Sequence, residues 1–529
     1  MPRSSRAASG LPPQSQRAIT RLGKDIALAR RRRKLPQRLM AERMIVSVQT
    51  QQRLEAGDPT VGLAVLASAL HVLGMTQRLA ELVTPDSDRA GISEDLSRLP
   101  QKTHAVSDDD LDFYQAVTTI RTYVFVHLEE GPVPAGLLTM TDEPRNQFAT
   151  FAYGRRYLER TDRIPVDPVA LPLHEAGTSR TFRTEEGFAV FGGIRDAAPD
   201  GWGQYLMYKA MGDRLPSEID LILASGEHRV GALAFGPTSA QPETITPWGG
   251  GPEEFTLAEL AEAAERAQHV DELDKNLRAL LAAGSSLGGA RPKAATKIGD
   301  QPWIAKFQKR GDSFPECRVE LATMRLASEC GLDVPPLDFR CVLDRDIYLI
   351  ERFDRIPHGN WLERRPFASG LTMLGAHESE VSSFSYADLA GAIRQFGTEV
   401  RQDLHELFRR MLLNILVTND DDHLRNHGFL FDGEGWRLSP LYDVVPKPQL
   451  GLERRLVLGV GPEGRNATIE NALAGAAVFD LSHDDAKAIA ENMSRTVATR
   501  WEQLFTEAGI SAADRKRFAT CFRLAAPAS

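Results

Sequence analysis

A length of 529 residues rules out a single small module: at roughly 150 residues per domain it points to about three or four domains, or fewer large ones. Hydrophobic residues make up 42% and charged residues 26%, close to a globular average, so most of the chain can bury a core. The net charge of −9 hides an asymmetry, because residues 1–53 hold 13 Lys and Arg against 2 Asp and Glu, a net +11, and residues 54–529 therefore carry −20. A basic N-terminal module on an acidic body is the pattern of a chain in which one part meets phosphates and the rest does something else.

The longest apolar run, near Met411 to Val417, falls far short of the ~18 residues a membrane helix needs, so no membrane partner is expected. The first twenty residues lack the apolar block of about seven residues that a signal peptide uses, and read as a flexible basic tail. Cys317, Cys330, Cys341 and Cys521 form no CxxC and lie in apolar or mixed stretches, which suits buried free thiols in a reducing compartment. The expected location is the cytoplasm.

Residues 21–80 break into short helical pieces. Pro36 opens a helix with Leu39, Met40 and Met44 inward; Ser47 caps a second; Asp58-Pro59-Thr60 starts a third that runs to Leu73 and stops at Gly74. Two short helices on a tight turn, backed by others, describe a helix-turn-helix. Residues 81–110 are polar and acidic and read as a linker. From Ile120 the text turns to strands (TYVFVHL, GLLTM, FATFAYGRRYLE), predicting an antiparallel sheet in a subdomain over 111–252. Residues 253–283 are a Glu/Ala/Leu-rich helical stretch ending at Gly284.

The chemistry is expected in the segment 253–529. Gly284 to Lys293 (GSSLGGARPK) is a Ser/Gly-rich turn whose backbone N–H groups could cradle an anion, although a plain flexible hairpin has the same composition. Lys306 lies in the strand-like WIAKF among apolar neighbours and needs a phosphate or a carboxylate, unless it snorkels at a sheet edge. Asp344 to Arg355 is a strand running into a polar turn. Met411 to Thr418 is a buried helix leading into DDDHLRNHGF, with LSPLYDVVP following. An Asp followed five residues on by Asn, then an Asp after a short hairpin, is how kinase-type sites arrange a base and two Mg²⁺ ligands. His423 and His427, four apart behind acidic residues, also fit a metal hydrolase locally, but that reading leaves Lys306, the glycine loop and Asp443 without roles.

In this order the Ser/Gly loop, the strand lysine, ERFDR, DDDHLRNHGF and LSPLYDVVP resemble the HipA family of serine/threonine protein kinases, toxins of bacterial toxin–antitoxin modules; FAYGRRYLE, RDAAPDGWGQYL and RVGALAF resemble that family's N-terminal subdomain. The spacing of Gln37, Met40-Ala41, Val46-Ser47 and Leu54 to Gly57 resembles the Cro/C1-type (XRE, HipB-like) helix-turn-helix family, with departures at Pro36 and Ile45. The implied fold is multi-domain: an all-α DNA-binding module followed by an α+β bilobal kinase. The resemblance implies Asp421 as catalytic residue; Asn426 and Asp443 as Mg²⁺ ligands; Gly288, Gly289, Ala290, Arg291, Pro292, Lys293, Lys306, Glu351, Arg352, Phe353, His423, Leu424, Arg425, Asn426, Tyr442 and Asp443 around ATP; and Ser286 as the autophosphorylated serine. Arg291-Pro292 and Asp422 depart from the family pattern. Gln37, Val48, Gln49, Gln52 and Arg53 are implied in DNA binding, with Arg30 to Lys34 on phosphates. Expected partners are ATP, a protein substrate such as an aminoacyl-tRNA synthetase, operator DNA and a second copy of the chain. The alternative is a transcription regulator whose kinase-like body senses a nucleotide without transferring phosphate.

Overall fold

The computed structural model describes residues 13–76, 79, 118–143, 146–211, 217–243, 255–269, 289, 291–309, 311–359, 361–449, 451 and 453–525. The chain divides into two compact units, one from residues 1–115 with 391–403 and the other from 116–390 with 404–529.

The first unit contains helices α1 (Pro13–Arg32), α2 (Gln37–Arg43), α3 (Val48–Glu55) and α4 (Leu63–Val72). Gly23, Ile26 and Arg30 recur on one face of α1 and are buried, the spacing an amphipathic helix uses. Gly23 is required by contact: a Cβ there would lie 2.6–2.8 Å from backbone atoms of Leu54, Glu55 and Gly57. Ile26, Met40, Met44, Leu54, Ala69, Val72 and Leu73 make the core. Ser47 caps α3, its hydroxyl accepting from Thr50 N at 3.1 Å. The turn between α2 and α3 carries Ile45 at φ 54°, a left-handed residue where a glycine is easier. Asp58 and Thr60 form a local turn, and α4 begins later than the sequence predicts, after Gly62. Within this unit Arg43 donates to Gln395 O (2.9 Å) and to Gly397 O.

The second unit opens with strands β1 (Thr118–Leu128), β2 (Gly131–Glu143) and β3 (Asn146–Tyr153), followed by β4 (Phe182–Arg183) and β5 (Leu233–Gly236), in an antiparallel sheet ordered β4-β3-β2-β1-β5. Between β4 and β5 lie three short helices, α5 (Gly192–Asp196), α6 (Gly201–Met211) and α7 (Glu218–Ala224). Val124, Val126, Leu138, Phe151, Phe191, Ile194 and Ile222 bury the common core of sheet and helices.

Helix α8 (Leu257–His269) precedes a second sheet of β6 (Lys293–Ile298), β7 (Gln301–Phe307), β8 (Leu337–Val342) and β9 (Arg345–Glu351), ordered β6-β7-β9-β8, with helix α9 (Glu316–Glu329) between β7 and β8. Side chains alternate across a strand, so Trp303, Ala305 and Phe307 pack with Leu260 and Ala264 of α8 on one face. Lys306, in register with Lys293 and Tyr348, lies on the other. The hairpin β10 (Arg355–His358) and β11 (Trp361–Arg364), then β12 (Phe367–Ser369) and helix α10 (Gly370–Met373), lead to helices α11 (Tyr386–Phe396) and α12 (Val400–Val417). Strands β13 (Gly428–Phe431) and β14 (Trp436–Leu438) pair with β12 as β12-β13-β14, and helix α13 (His483–Glu507) packs on α9. Among the described residues no helix is long and apolar enough to cross a membrane. The four cysteines are free; Cys317, Cys330 and Cys521 are buried, whereas Cys341 is exposed on β8.

A buried arginine cluster ties the two sheet regions of this unit together. Asp354 accepts from Arg352 at 2.8 and 2.9 Å, from Arg355 at 3.0 Å and from Gly231 N at 2.9 Å, and Arg352 and Arg355 donate onward to the carbonyls of His228, Arg229 and Gly231. Burial tends to raise the Asp354 carboxyl, but Arg352 and Arg355 outweigh it and hold it well below the usual carboxylate range. Burial, with Arg364, Arg355 and Arg229, lowers His127 to about 3, and burial, with Arg352, Arg355 and Arg364, lowers His228 to about 4, so both stay neutral. Replacing Asp354 by Asn is expected to cost about 3–5 kcal/mol, because it leaves buried guanidinium groups uncompensated. Since its folded carboxyl is depressed, the wild-type contribution is complete above the unfolded carboxylate range and is lost as pH falls below about 4. Denaturant unfolding of wild type and Asp354→Asn at pH 7 and pH 3 checks this, the difference shrinking at the lower pH.

Candidate active site

The centre of the site is a buried ammonium. Lys306 is 6% exposed and its Nζ donates to Glu320 Oε1 of α9 at 2.6 Å and to Asp443 Oδ1 at 2.8 Å. Burial opposes the charge on Lys306, but the carboxylates of Asp443 and Glu320 outweigh it and raise the group above its ordinary value. Lys306 in turn is the main cause that holds the Asp443 carboxyl well below the usual range. Burial, with Asp443 nearby, leaves Glu320 raised. Asp443 sits in a left-handed conformation, φ 63°, which turns a 41% exposed side chain back toward the lysine. Lys293, one strand over, is also buried, and burial and then Lys306 lower it.

The catalytic-type loop leaves α12 through Thr418, another left-handed residue at φ 57°, whose hydroxyl donates to Cys521 O at 2.6 Å. Asp421 is exposed, paired with Lys447 Nζ at 2.8 Å, and its carbonyl accepts from Asn426 Nδ2 at 3.2 Å. Asn426 is thereby turned with its amide nitrogen bonded to the loop and its carbonyl oxygen available. Asp422, which departs from the resembling family, is a buried brace: Tyr386 donates to it and His427 Nε2 lies 2.9 Å away, while Asn414 Nδ2 donates to the Tyr386 oxygen at 3.2 Å. His423 and His427 flank a short 3₁₀ turn, Leu424–Asn426, so they do not share a helix face and the transition-metal reading of that pair loses its geometry. Among the described residues no group of three or more His, Cys, Asp or Glu is arranged to hold a metal.

The glycine loop is described only from Gly289 and Arg291 onward; Ser286, Gly288 and Ala290 lie outside the described residues. Gly289 is at φ 99°, and a side chain there would collide with the Lys293 ammonium. Its N–H donates to Asp200 Oδ1, and its carbonyl accepts from Trp202 N at 2.8 Å. The other oxygen of Asp200 accepts from Arg425 of the catalytic-type loop at 2.9 Å. Arg425 also pairs with Glu378, and its carbonyl accepts from Tyr442 Oη at 2.7 Å. The rings of Phe353 and Tyr442 have their centroids 5.6 Å apart and are tilted by 34°, an aromatic pair adjoining Asp443 in the chain.

Two expected nucleotide contacts are used elsewhere. Arg352 is 4% exposed and bound to Asp354, His228 O and Arg229 O, so its guanidinium faces the arginine cluster; this corrects its assignment to the nucleotide. The Arg291 guanidinium pairs with Asp312 and Glu316, both at 2.5 Å, which fixes the loop end instead of offering a donor. Pro292 O accepts from Phe307 N at 2.9 Å, extending the β6–β7 ladder. Glu351 ends β9, its N–H donating to Pro336 O, and Leu424 is fully buried under the loop. Glu320, Asp200, Glu378 and Lys447 escaped the sequence reading; Glu320 alone carries a local signal, a carboxylate in the otherwise apolar VELATM of α9.

A family model described as the HipA-like C-terminal domain matches residues 285–501. "Putative kinase Y4mE" of Sinorhizobium fredii is 24% identical over 343 residues, covering 58% of this chain and 76% of that protein. A Haemophilus influenzae protein described as "Putative kinase" is 27% identical over 210 residues, 35% of this chain and 61% of its own. Among solved structures, the Shewanella oneidensis MR-1 toxin–antitoxin complex of HipA, HipB and operator DNA aligns with a TM-score of 0.55 and 18% identity, over 76% of this chain and 95% of that one. The chain therefore carries a HipA-like C-terminal domain and a HipA-like fold, and its relatives bear kinase names.

The Asp200 bridge has a direct consequence for the glycine loop. Asp200→Asn removes a charged acceptor, an interaction worth about 1.5–3 kcal/mol. Amide exchange at Gly289 is then expected to speed up by about tenfold to a hundredfold, measured by hydrogen exchange at neutral pH, with exchange in the distant β1–β2 ladder unchanged.

Proposed function

We propose that the protein is an ATP- and Mg²⁺-dependent serine/threonine protein kinase of HipA type, autophosphorylated on Ser286, with a fused DNA-binding module that recognises its own operator. The observation that carries the kinase reading is the Lys306–Glu320–Asp443 triad, because a strand lysine paired with a helix glutamate and a metal-binding aspartate is what phosphotransfer requires.

The donor set fits the metal. Asp443 offers a carboxylate and Asn426 a carbonyl oxygen, hard ligands of the type Mg²⁺ takes when phosphate oxygens complete its shell. When bound, that ion neutralises charge on the phosphates being transferred. Lys306 and Lys293 lie where they can contact the other phosphates, and the Gly289 backbone, anchored by Asp200, covers them. Phe353 and Tyr442 offer their rings to the adenine. Asp421 orients the substrate hydroxyl and takes its proton. Lys447 Nζ, which donates to Asp421 Oδ2 at 2.8 Å, orients that carboxylate. The exposed Asp421 suits a protein substrate, with a translation-related protein such as an aminoacyl-tRNA synthetase the class the HipA resemblance favours.

For the first unit, Val48, Gln49 and Gln52 are exposed along α3, and Arg31, Arg32, Arg33 and Lys34 are exposed at the end of α1, which supports a groove-facing helix flanked by phosphate contacts. Gln37 and Gln52 bond to each other at 3.3 Å, and Arg53 is held by Asp58 at 2.8 Å, so each is oriented before it meets DNA. Arg30 is instead buried against Glu55 at 2.5 Å and is left out of the phosphate set. The Shewanella relative's complex with operator DNA supports the same reading, and a dimer would match two half-sites.

The test is intact mass after incubation with ATP and Mg²⁺. Wild type is expected to gain phosphate on Ser286, Asp421→Asn to gain none, and Lys306→Met to lose at least about a hundredfold in rate. Nucleotide binding without mass gain would favour the sensor reading. Operator affinity is expected to fall steeply with salt, and Arg31→Gln with Arg33→Gln to reduce that slope by about 2.

A further inference from the structure

In the first unit a chain of hydrogen bonds gives two side-chain amides a fixed sense. Glu55, at the end of α3, has a side chain only 9% exposed and is gripped by Arg30 of α1, whose Nε and Nη2 donate to its two oxygens at 2.5 and 3.0 Å. An ionised carboxylate only accepts, so the Gln37 amide at the start of α2 meets it with its nitrogen, Nε2 donating to Glu55 Oε2 at 3.4 Å. The Gln37 carbonyl oxygen is thereby left for α3, and it accepts from Gln52 Nε2 at 3.3 Å. Shape alone does not distinguish the two ends of an amide. The carboxylate at the head of this chain decides which end is which at both glutamines.

Gln52 is where this chain of bonds reaches solvent. It is exposed, one helical turn beyond Val48 and Gln49, which are exposed on the same face of α3, whereas Gln51 and Leu54 are buried on the other. Among the described residues the Gln52 side chain makes no further hydrogen bond. Its nitrogen spends one hydrogen on Gln37, so one N–H and the carbonyl oxygen remain for a second partner. Arg53, the next residue, is committed differently: its Nε donates to Asp58 at 2.8 Å and its Nη2 to Thr60, so two of its three nitrogens already serve the turn after α3.

One donor beside one acceptor is the complement of a single base edge in the major groove, that of adenine, whose N7 accepts and whose N6 amino group donates. Guanine presents two acceptors there, cytosine a donor, and thymine an acceptor beside a methyl group. We propose that Gln52 specifies one base of the bound DNA, an adenine, and that Gln37 and Glu55 are positioning residues that fix the sense of its amide. Pairing with Arg30 also neutralises Glu55, an acid that would otherwise repel the phosphates beside the groove. The inference rests on the DNA-binding reading of the first unit and is independent of the kinase reading.

The experiment is selection of DNA duplexes from a randomised pool by the full chain, followed by competition binding with single-base variants of the selected motif. Wild type is expected to select an adenine whose replacement weakens binding about fivefold to a hundredfold, and 7-deazaadenine at that position, which lacks the N7 acceptor, should weaken it as well. Gln52 is exposed, so its variants keep the fold. Gln52→Ala should erase the preference at that one position, and Gln52→Glu, which only accepts, should move it to cytosine, whose N4 amino group donates. Gln37→Leu releases the Gln52 amide and should reduce discrimination severalfold at the same position, with discrimination at the motif's other positions retained. A motif read alike by wild type and Gln52→Ala overturns the proposal and leaves the DNA-binding reading standing. Binding that enriches no motif overturns it too, whereas no binding even at low salt removes the DNA-binding reading itself and the inference with it.

Discussion

An ammonium buried between two carboxylates is the constraint on which the second unit's site depends. Lys306 could not stay charged at 6% exposure without Glu320 and Asp443, and neither acid would keep its place without the lysine. The three come from a strand, a helix and a loop far apart in the chain, so pairing them sets α9 against the β6–β9 sheet and brings the turn at Asp443 beneath it. The left-handed backbone at Asp443 is the local cost of that arrangement. Two acids share Lys306, with Lys293 buried one strand over, and Lys306 holds the Asp443 carboxyl well below the usual range.

Around this triad the loops are positioned by two further acids, Asp422 buried and Asp200 half-buried. Asp422 braces the catalytic-type loop through Tyr386 and His427, and Asp200 joins the glycine loop to Arg425. Each acid has donors on separate segments, so none can be removed without loosening two pieces of the site at once. Such multi-partner carboxylates give rigidity through charge-assisted bonds, which are shorter and stronger than neutral ones.

The parts legible in the sequence were those carried by local pattern. Asp421, Asn426 and Asp443 stand at kinase-type spacing, Lys306 sits alone in an apolar strand, and the β1–β3 strands alternate as a half-buried antiparallel sheet must. What was hidden depends on long-range pairing. Arg352 reads as part of a strand end beside the nucleotide, but its direction is decided by Asp354 and by carbonyls more than a hundred residues upstream. Arg30 belongs to a basic run that looks uniform in sequence. The helical period places it with Gly23 and Ile26 on the buried face, opposite Glu55, while its neighbours stay in solvent. Glu320 was findable in principle, since an acid within an apolar helical stretch demands a buried cation.

The same reasoning bears on where the functional unit begins. Composition suggests a boundary near residue 252, between a sheet subdomain and a kinase core. Yet the core's glycine loop is held by Asp200 and Trp202, its arginine cluster closes on His228, Arg229 and Gly231, and Ser369 donates to Asp196 at 2.7 Å. Each link joins a polar group that would be buried and unpaired without the other side. A core cut free at residue 252 would expose those groups and lose the anchor of its glycine loop, so the segment from Asp196 to Gly231 is a structural part of the site.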